Sequence, residues 1–276
     1  MLRQIENLIL DMDGVLWHGE TPLPDLPHFF ARLRRLGIGF VLATNNATKT
    51  AIQYTAKLAR FGVDISPAQI VTSAEATAVY LRHQYPAETA VYVIGESGLR
   101  QALTAQSFTL ITPEAIRQGE TPPVVVVGYH PQVTYDDLAM GALAIHRGAS
   151  FIGTNPDPSL PTELGPLPGA GALLAFISTA TGIQPTLIGK PGPILFQQAL
   201  LRLNGTAENT AMVGDRLTTD IAGGLAAGLT SILVLSGIST RAAAETGAIH
   251  PDYIFTDIHA LVDELEHITA PTPTLL

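Results

Sequence analysis

Short apolar runs alternate with longer amphipathic stretches along the chain, and most of the runs end in Asp, Gly, Thr or Asn. A strand buried on both faces of a sheet reads as an unbroken apolar run, whereas a helix lying over it repeats its apolar positions every three to four residues. The runs predict strands at Asn7 to Leu10, Ile38 to Ala43, Ala90 to Ile94, Val124 to Val127, Ser150 to Gly153, Thr210 to Val213, Ser231 to Leu235 and Tyr253 to Thr256. Between them, Ala51, Tyr54, Ala56, Leu58 and Phe61 outline a helix closed by Gly62. Leu138, Ala142, Leu143 and Ile145 outline another over Tyr135 to His146, and a third spans Pro193 to Leu203. Strands and helices in alternation predict an α/β protein built on a parallel sheet. No repeat of 20 to 50 residues breaks that reading. The terminal stretch Thr269-Ala270-Pro271-Thr272-Pro273 is expected to fray.

Composition changes this picture in three ways. With 46% hydrophobic and 14% charged residues the chain has ample material for a core. At about 150 residues per domain, 276 residues suggest two domains or one carrying a large insertion. The net charge, 15 − 24 = −9, disfavours non-specific nucleic-acid binding and obliges any anionic substrate to find a local cation. The absence of cysteine excludes disulfides, thiolate zinc sites and cysteine nucleophiles. The first apolar run stops at Asp11, too soon for a secretory leader, and no 18 uncharged apolar residues follow one another, so the expected setting is cytoplasmic, with no membrane partner. Eight histidines show neither HxH nor HExxH spacing, and a histidine zinc site is not indicated.

Four motifs carry candidate chemistry, each at a predicted strand end or loop, where open α/β sheets bind their ligands. Asp11-Met12-Asp13-Gly14 puts two carboxylates where the first strand opens into a loop, one able to attack an electrophile and the other to shuttle a proton or share a hard cation. Alone, the pair reads equally well as an Asp-Gly turn. Thr44-Asn45-Asn46 offers a hydroxyl and backbone N–H groups to a phosphate, or an ordinary helix cap. Lys190, in Gly189-Lys190-Pro191, supplies a cation, but Gly182 lies seven residues before Gly189 and Pro191 replaces Ser/Thr, so the segment is not a Walker A loop. Gly214-Asp215-Arg216-Leu217-Thr218-Thr219-Asp220 brings a second acidic pair to the start of a helix predicted at Ile221 to Ala227. Together the carboxylates, hydroxyl and cation suit a magnesium-assisted phosphoryl site.

Asp11-x-Asp13-Gly14-Val15, Thr44-Asn45, Gly189-Lys190-Pro191 and Gly214-Asp215-x4-Asp220 resemble the four ordered motifs of the haloacid dehalogenase (HAD) superfamily. The spacings 44 − 11 = 33, 190 − 44 = 146 and 215 − 190 = 25 place a large insertion between the second and third motifs, as in subfamily IIA, the NagD-like group with p-nitrophenyl and phosphoglycolate phosphatases. Val93-Ile94-Gly95-Glu96, Val127-Gly128-Tyr129, Phe151 to Asp157, Pro168 to Gly171 and Val234 to Gly237 extend the likeness over nearly the whole chain. The resemblance implies a Rossmann-like doubly wound parallel core over 1–81 and 184–276, with a smaller inserted α/β cap of C2 type over 82–183.

It implies, further, a Mg²⁺-dependent phosphatase of small phosphomonoesters. Asp11 would be the nucleophile, forming an aspartyl-phosphate, and Asp13 the acid and then the base. Thr44, Asn45, Asn46 and Lys190 would hold the phosphoryl group, and Asp11, the Asp13 carbonyl and Asp215 would bind Mg²⁺ beside an orienting Asp220. A carboxylate at position 13 suits an oxygen leaving group, which favours phosphatase over dehalogenase. In the cap, Asn155 and Asp157 are candidates to face the substrate, and His130 stands, before Pro131, where many relatives carry Asp. Trp17 and His18 follow the first motif directly. The partner expected is a small phosphorylated metabolite, and such a fold accommodates cap-mediated homodimers. Two other readings stay open: a phosphotransferase or mutase on the same scaffold, and a non-catalytic phospho-ligand or receiver-like module, against which the insertion and the second acidic pair argue.

Overall fold

The computed structural model describes residues 2–162 and 164–269; the predicted frayed stretch, beyond Thr269, lies outside them. The chain begins β1 (Asn7–Leu10), β2 (Trp17–His18), β3 (Thr21–Pro22), α1 (Leu26–Arg35), β4 (Gly39–Thr44), α2 (Ala51–Arg60), β5 (Ile70–Thr72) and α3 (Ser73–Gln84). It continues β6 (Ala90–Ile94), α4 (Ser97–Ala105), β7 (Thr109–Ile111), α5 (Pro113–Arg117), β8 (Val124–Val127), α6 (Tyr135–His146), β9 (Ser150–Gly153), β10 (Ser159–Thr162), β11 (Gly165–Pro168) and α7 (Ala170–Thr181). It closes with β12 (Thr186–Leu187), α8 (Pro193–Leu203), β13 (Thr210–Gly214), a π-turn at Leu217–Ile221, α9 (Ala222–Ala226), β14 (Thr230–Val234), α10 (Arg241–Thr246), β15 (Tyr253–Phe255) and α11 (Ile258–Thr269).

Two compact units emerge, one over residues 1–43, 54–71 and 196–276, the other over 44–53 and 72–195. The first carries most of a six-stranded sheet of order β15-β14-β13-β1-β4-β5. There β1 runs parallel to both β13 and β4, with Leu10 opposite Val213 and Leu42. Because the strand order departs in opposite directions on the two sides of β1, its carboxyl end is a topological switch point, the place where helices diverge and a crevice opens. Leu8, Ile9, Leu10, Met212, Val213, Ile232 and Leu233 are wholly buried, as unbroken apolar strands covered on both faces must be.

The second unit holds a five-stranded sheet of order β12-β9-β8-β6-β7, every pair parallel. Tyr92, Ile94, Val125, Val127 and Phe151 from its strands pack with Leu138 and Ile145 of α6 and Leu174 and Ile177 of α7. All five strands point the same way, so the loops that follow them emerge at one edge.

The structure moves some predicted boundaries by a residue or two: the strand expected at Ile38 to Ala43 is Gly39–Thr44, and that expected at Ser231 to Leu235 is Thr230–Val234. The helix expected at Ile221 to Ala227 begins instead as the π-turn, four residues earlier. Gly169-Ala170-Gly171 opens a helix, with Gly169 as N-cap of α7.

Candidate active site

Asp11 sits one residue beyond β1, and its backbone N–H continues the ladder by donating to the carbonyl of Val213 (2.9 Å). From there the chain turns sharply: the N–H groups of Val15 and Leu16 donate to the carbonyl of Met12, and that of Gly14 to the carbonyl of Trp17 (2.8 Å). Val15, Leu16 and Trp17 bury their side chains while Asp13 stays exposed. The turn therefore anchors itself by its apolar residues and leaves one carboxylate buried and one open. The Trp17 indole Nε1–H donates to Oδ1 of Asp13 (2.8 Å).

Asp215 follows β13, the strand beside β1, and is 1% exposed. The Ile238 backbone N–H donates to its Oδ2 (2.8 Å), and Gly237 passes so close that a Cβ there would lie 2.0 Å from the same oxygen. Gly14 (φ +86) approaches the same oxygen, and a Cβ there would come within 2.6 Å of it. Only backbone lacking side chains can approach a carboxylate this closely. The π-turn then swings Asp220 back so that its Oδ2 accepts from the Arg216 N–H (3.0 Å), and Asp220 is 1% exposed. As a result Asp11, Asp215 and Asp220 each bring a carboxylate oxygen within 4.8 Å of the others.

Three buried carboxylates so close would repel one another strongly, and hard oxygen donors at this spacing suit a divalent cation such as Mg²⁺. Asp220, expected as an orienting carboxylate, lies inside this cluster. The donor set fits the expected ion.

In the second unit, Thr44 closes β4 and accepts the Asn46 N–H on its Oγ1 (3.1 Å). The Asn46 Oδ1 in turn accepts from the Thr48 N–H (2.8 Å) and hydroxyl (2.7 Å), so the Asn46 side chain closes the loop that leads into α2. Asn45 does more. Its Oδ1 accepts the Lys190 N–H (2.7 Å) and its Nδ2 donates to the Lys190 carbonyl (2.9 Å), gripping that residue's backbone from both sides. The Nδ2 also lies 3.3 Å from an Asp157 carboxylate oxygen, while the Asn45 carbonyl accepts from Asn155 Nδ2 (2.9 Å) and from the Ser73 hydroxyl (2.6 Å). The peptide bond between Lys190 and Pro191 is cis. A Cβ at Gly189 would stand 2.5 Å from Asn45 Oδ1, so the residue before the lysine must be small. The structure thus gathers Thr44, Asn45, Asn155, Asp157 and Lys190 into one knot. Lys190 is 2% exposed.

His130, after β8, is drawn to Glu96, after β6, with Nδ1 2.6 Å from Oε1. Glu96 caps α4 by position yet makes no side-chain cap, its carboxylate being committed to the histidine. His18 is exposed, whereas Trp17 is buried. Sequence reasoning passed over Ser73, Glu96 and Lys57, which is buried against the Trp17 ring. For Lys57 a signal existed, since it shares a helical face with Tyr54 and Phe61 at spacings of three and four.

A family model described as "Haloacid dehalogenase-like hydrolase" matches residues 8–109, and a second, HAD-hydrolase-like, matches residues 187–261. The chain is 39% identical over 265 residues to the acid sugar phosphatase of Staphylococcus epidermidis, covering 96% of this chain and all of that protein. Among solved structures it resembles NagD from E. coli K-12 at 35% identity, with TM-score 0.83 and coverage of 92% of this chain and 97% of that one. It also resembles a glycerol phosphate phosphatase from Mycobacterium tuberculosis in complex with magnesium, at 33% identity and TM-score 0.86, covering 99% of this chain and 81% of that one. No helix of the described residues is long and apolar enough to cross a membrane. The chain therefore belongs to the haloacid dehalogenase-like hydrolases, in the NagD-like subfamily IIA, and is a phosphoric monoester hydrolase.

Proposed function

We propose that this enzyme hydrolyses small sugar phosphates with the help of Mg²⁺, passing the phosphoryl group through Asp11. The observation that carries this reading is the buried trio Asp11, Asp215 and Asp220, a nucleophile and two further carboxylates in one hard-oxygen donor set. The substrate class is suggested by the acid sugar phosphatase to which the chain is 39% identical.

Asp11, Asp215 and the Asp13 carbonyl would hold the ion, with Asp220 beside them. When bound, Mg²⁺ would offset the charge of phosphoryl and carboxylate oxygens that must approach one another. The Asp11 carboxylate oxygen attacks phosphorus and the ester P–O bond breaks. Asp13, protonated at this point, gives its proton to the departing sugar oxygen; the resulting carboxylate then removes a proton from the water that attacks the aspartyl-phosphate. Release of inorganic phosphate returns Asp11 to its starting state. The Thr44 hydroxyl and the Asn45 N–H steady the phosphoryl oxygens, and the Lys190 ammonium neutralises charge as it develops. Residues 82–183 serve as the cap that selects the ester and excludes water, with Asn155, Asp157 and His130 as its substrate-facing groups and Asn46 supporting the loop. The enzyme acts in the cytoplasm.

A panel of sugar phosphates with and without Mg²⁺ tests the proposal. Phosphate release that requires the ion and falls about 10⁴-fold or more in Asp11→Asn supports it. Activity that survives both chelation and that substitution overturns it. Transfer to an added alcohol in place of water would show a phosphotransferase instead.

A further inference from the structure

Trp17 is wholly buried, yet its single polar atom is aimed at the carboxyl group of Asp13. Its ring is clamped by one face of α2 and the residue after it. Tyr54 stacks on it with centroids 6.3 Å apart at 19°, and Phe61 leans on it at 6.0 Å. Between those two, the ammonium of Lys57 lies 4.4 Å from the ring centroid. Lys57 is itself only 5% exposed; it donates to the Gly19 carbonyl (2.5 Å) and lies 3.4 Å from Glu20.

Packing alone does not account for this arrangement. A buried lysine is costly to desolvate, and an apolar side chain would fill the same space against an aromatic ring more cheaply. What a cation adds is electrostatic: held over the π face, it draws electron density from the indole and makes the N–H a stronger donor, here to a carboxyl group. The backbone closes the same short loop, because the Gly14 N–H donates to the Trp17 carbonyl and Asp13 bridges Trp17. Asp13 is exposed, so without the indole its carboxyl group would be free to rotate.

We infer that Trp17 is a positioning residue for proton transfer: backed by Lys57, it fixes Oδ1 of Asp13 and thereby presents Oδ2 to the leaving oxygen of the substrate. The inference rests on the acid role proposed for Asp13. The step is balanced within the enzyme. As the ester P–O bond breaks, the proton on Oδ2 passes to the departing oxygen, and a proton from the attacking water later returns to the same oxygen.

Leaving groups separate this role from packing. A sugar alkoxide needs the proton, whereas p-nitrophenolate departs without it. We would replace Trp17 by 3-benzothienylalanine, which keeps the ring and removes the N–H, and by Phe, and confirm folding by thermal unfolding. Lys57→Met, which keeps the stem, provides a variant outside the turn. The readout is the single-turnover rate of alcohol release, which reports formation of the aspartyl-phosphate and leaves out the later attack of water, where Asp13 serves both esters alike; it is expected to fall about 10- to 100-fold on a sugar phosphate, part of the 10²–10⁴-fold that general acid catalysis supplies. On p-nitrophenyl phosphate the single-turnover release of p-nitrophenol should stay within about threefold, with the substrate concentration giving half the maximal rate little altered for both esters. Asp13→Ala is the control for the underlying reading and should show the same selectivity with larger losses. If Asp13→Ala behaves so while the isostere leaves both rates unchanged, or lowers both equally, the positioning role is overturned and the acid role stands. If Asp13→Ala loses both substrates alike or neither, the acid role fails, and the inference with it.

Discussion

Asp215 and Lys190 are both charged residues at almost complete burial, 1% and 2% exposed, yet the chain secures them by different means. At Asp215 the carboxylate itself is fixed: a backbone N–H from Ile238 binds one oxygen, and two glycines crowd the same oxygen. At Lys190 the backbone is fixed, clasped on both its N–H and its carbonyl by one asparagine side chain. The ammonium rides on a four-carbon stem beyond that anchor. The contrast matches the role proposed above for each charge. An ion with a demanding oxygen geometry needs ligands that do not move, whereas a cation that follows charge migrating between attacking and leaving oxygens needs reach.

The largest effect expected from this contrast is on the rigid side. Asp215→Asn should reduce turnover by about 10³-fold or more and shift the Mg²⁺ titration far upward; unchanged Mg²⁺ dependence would remove Asp215 from the ligand set. Gly237→Ala sharpens the same point without touching a ligand. Its Cβ would fall 2.0 Å from Asp215 Oδ2 and 2.4 Å from Asp215 Cβ, so the carboxylate must shift. An apparent Mg²⁺ affinity weakened about 10- to 100-fold, with a stability loss of about 1–3 kcal/mol in denaturant melts, is the expected outcome.

On the other side, Asn45→Ala frees the Lys190 backbone. It should lower kcat about 10- to 100-fold while leaving the Mg²⁺ titration unmoved, a split that would fail to appear if the two regions were held as one rigid set.

The smallest effect lies at a surface carboxylate of the same unit as Asp215. Hydrogen bonds from Arg32, and a further one from Arg35, hold the carboxyl group of Glu266 down to about 2, from an ordinary 4.5. A lowered folded-state value means stability that is present above about 4.5 and is lost as the pH falls toward 2. Glu266→Gln should therefore lower Tm slightly at pH 7 and flatten its decline between pH 4.5 and 2. Because Glu266 is only half-buried and its second partner Arg35 is exposed, the change should be modest and weaken with salt.

Much of this was legible in the chain. β1, β6, β8 and β9 coincide with their predicted runs, because an uninterrupted apolar run bounded by turn residues has few other uses in a protein of this composition. α6 and α8 follow their apolar spacing in the same way. Of the strands that escaped notice among the described residues, β2, β3, β5, β7 and β12 are two or three residues long, too short for any periodicity to show, and β10 and β11 are four-residue stretches whose prolines read as turn rather than strand. The π-turn at Leu217–Ile221 has no sequence signature, although it is what returns Asp220 to the Arg216 N–H.

At the site, residue types marked the motifs but not who holds whom. The sequence offers Asn45 as a source of a backbone N–H, whereas its side chain reaches across 145 positions to Lys190, a contact that only the folded chain can bring about. The Glu96–His130 pair is hidden for the same reason, its members following different strands of one parallel sheet.

The central claim is that the phosphoryl group rests on Asp11 during turnover, and rapid acid quenching with peptide mass analysis tests it most directly. With Mg²⁺ and a sugar phosphate, the account predicts a phosphoryl adduct on the peptide carrying Asp11, appearing before phosphate is released, decaying as substrate runs out, and absent in Asp11→Asn. Steady turnover with no adduct on that peptide, or with the adduct on another residue, would contradict it.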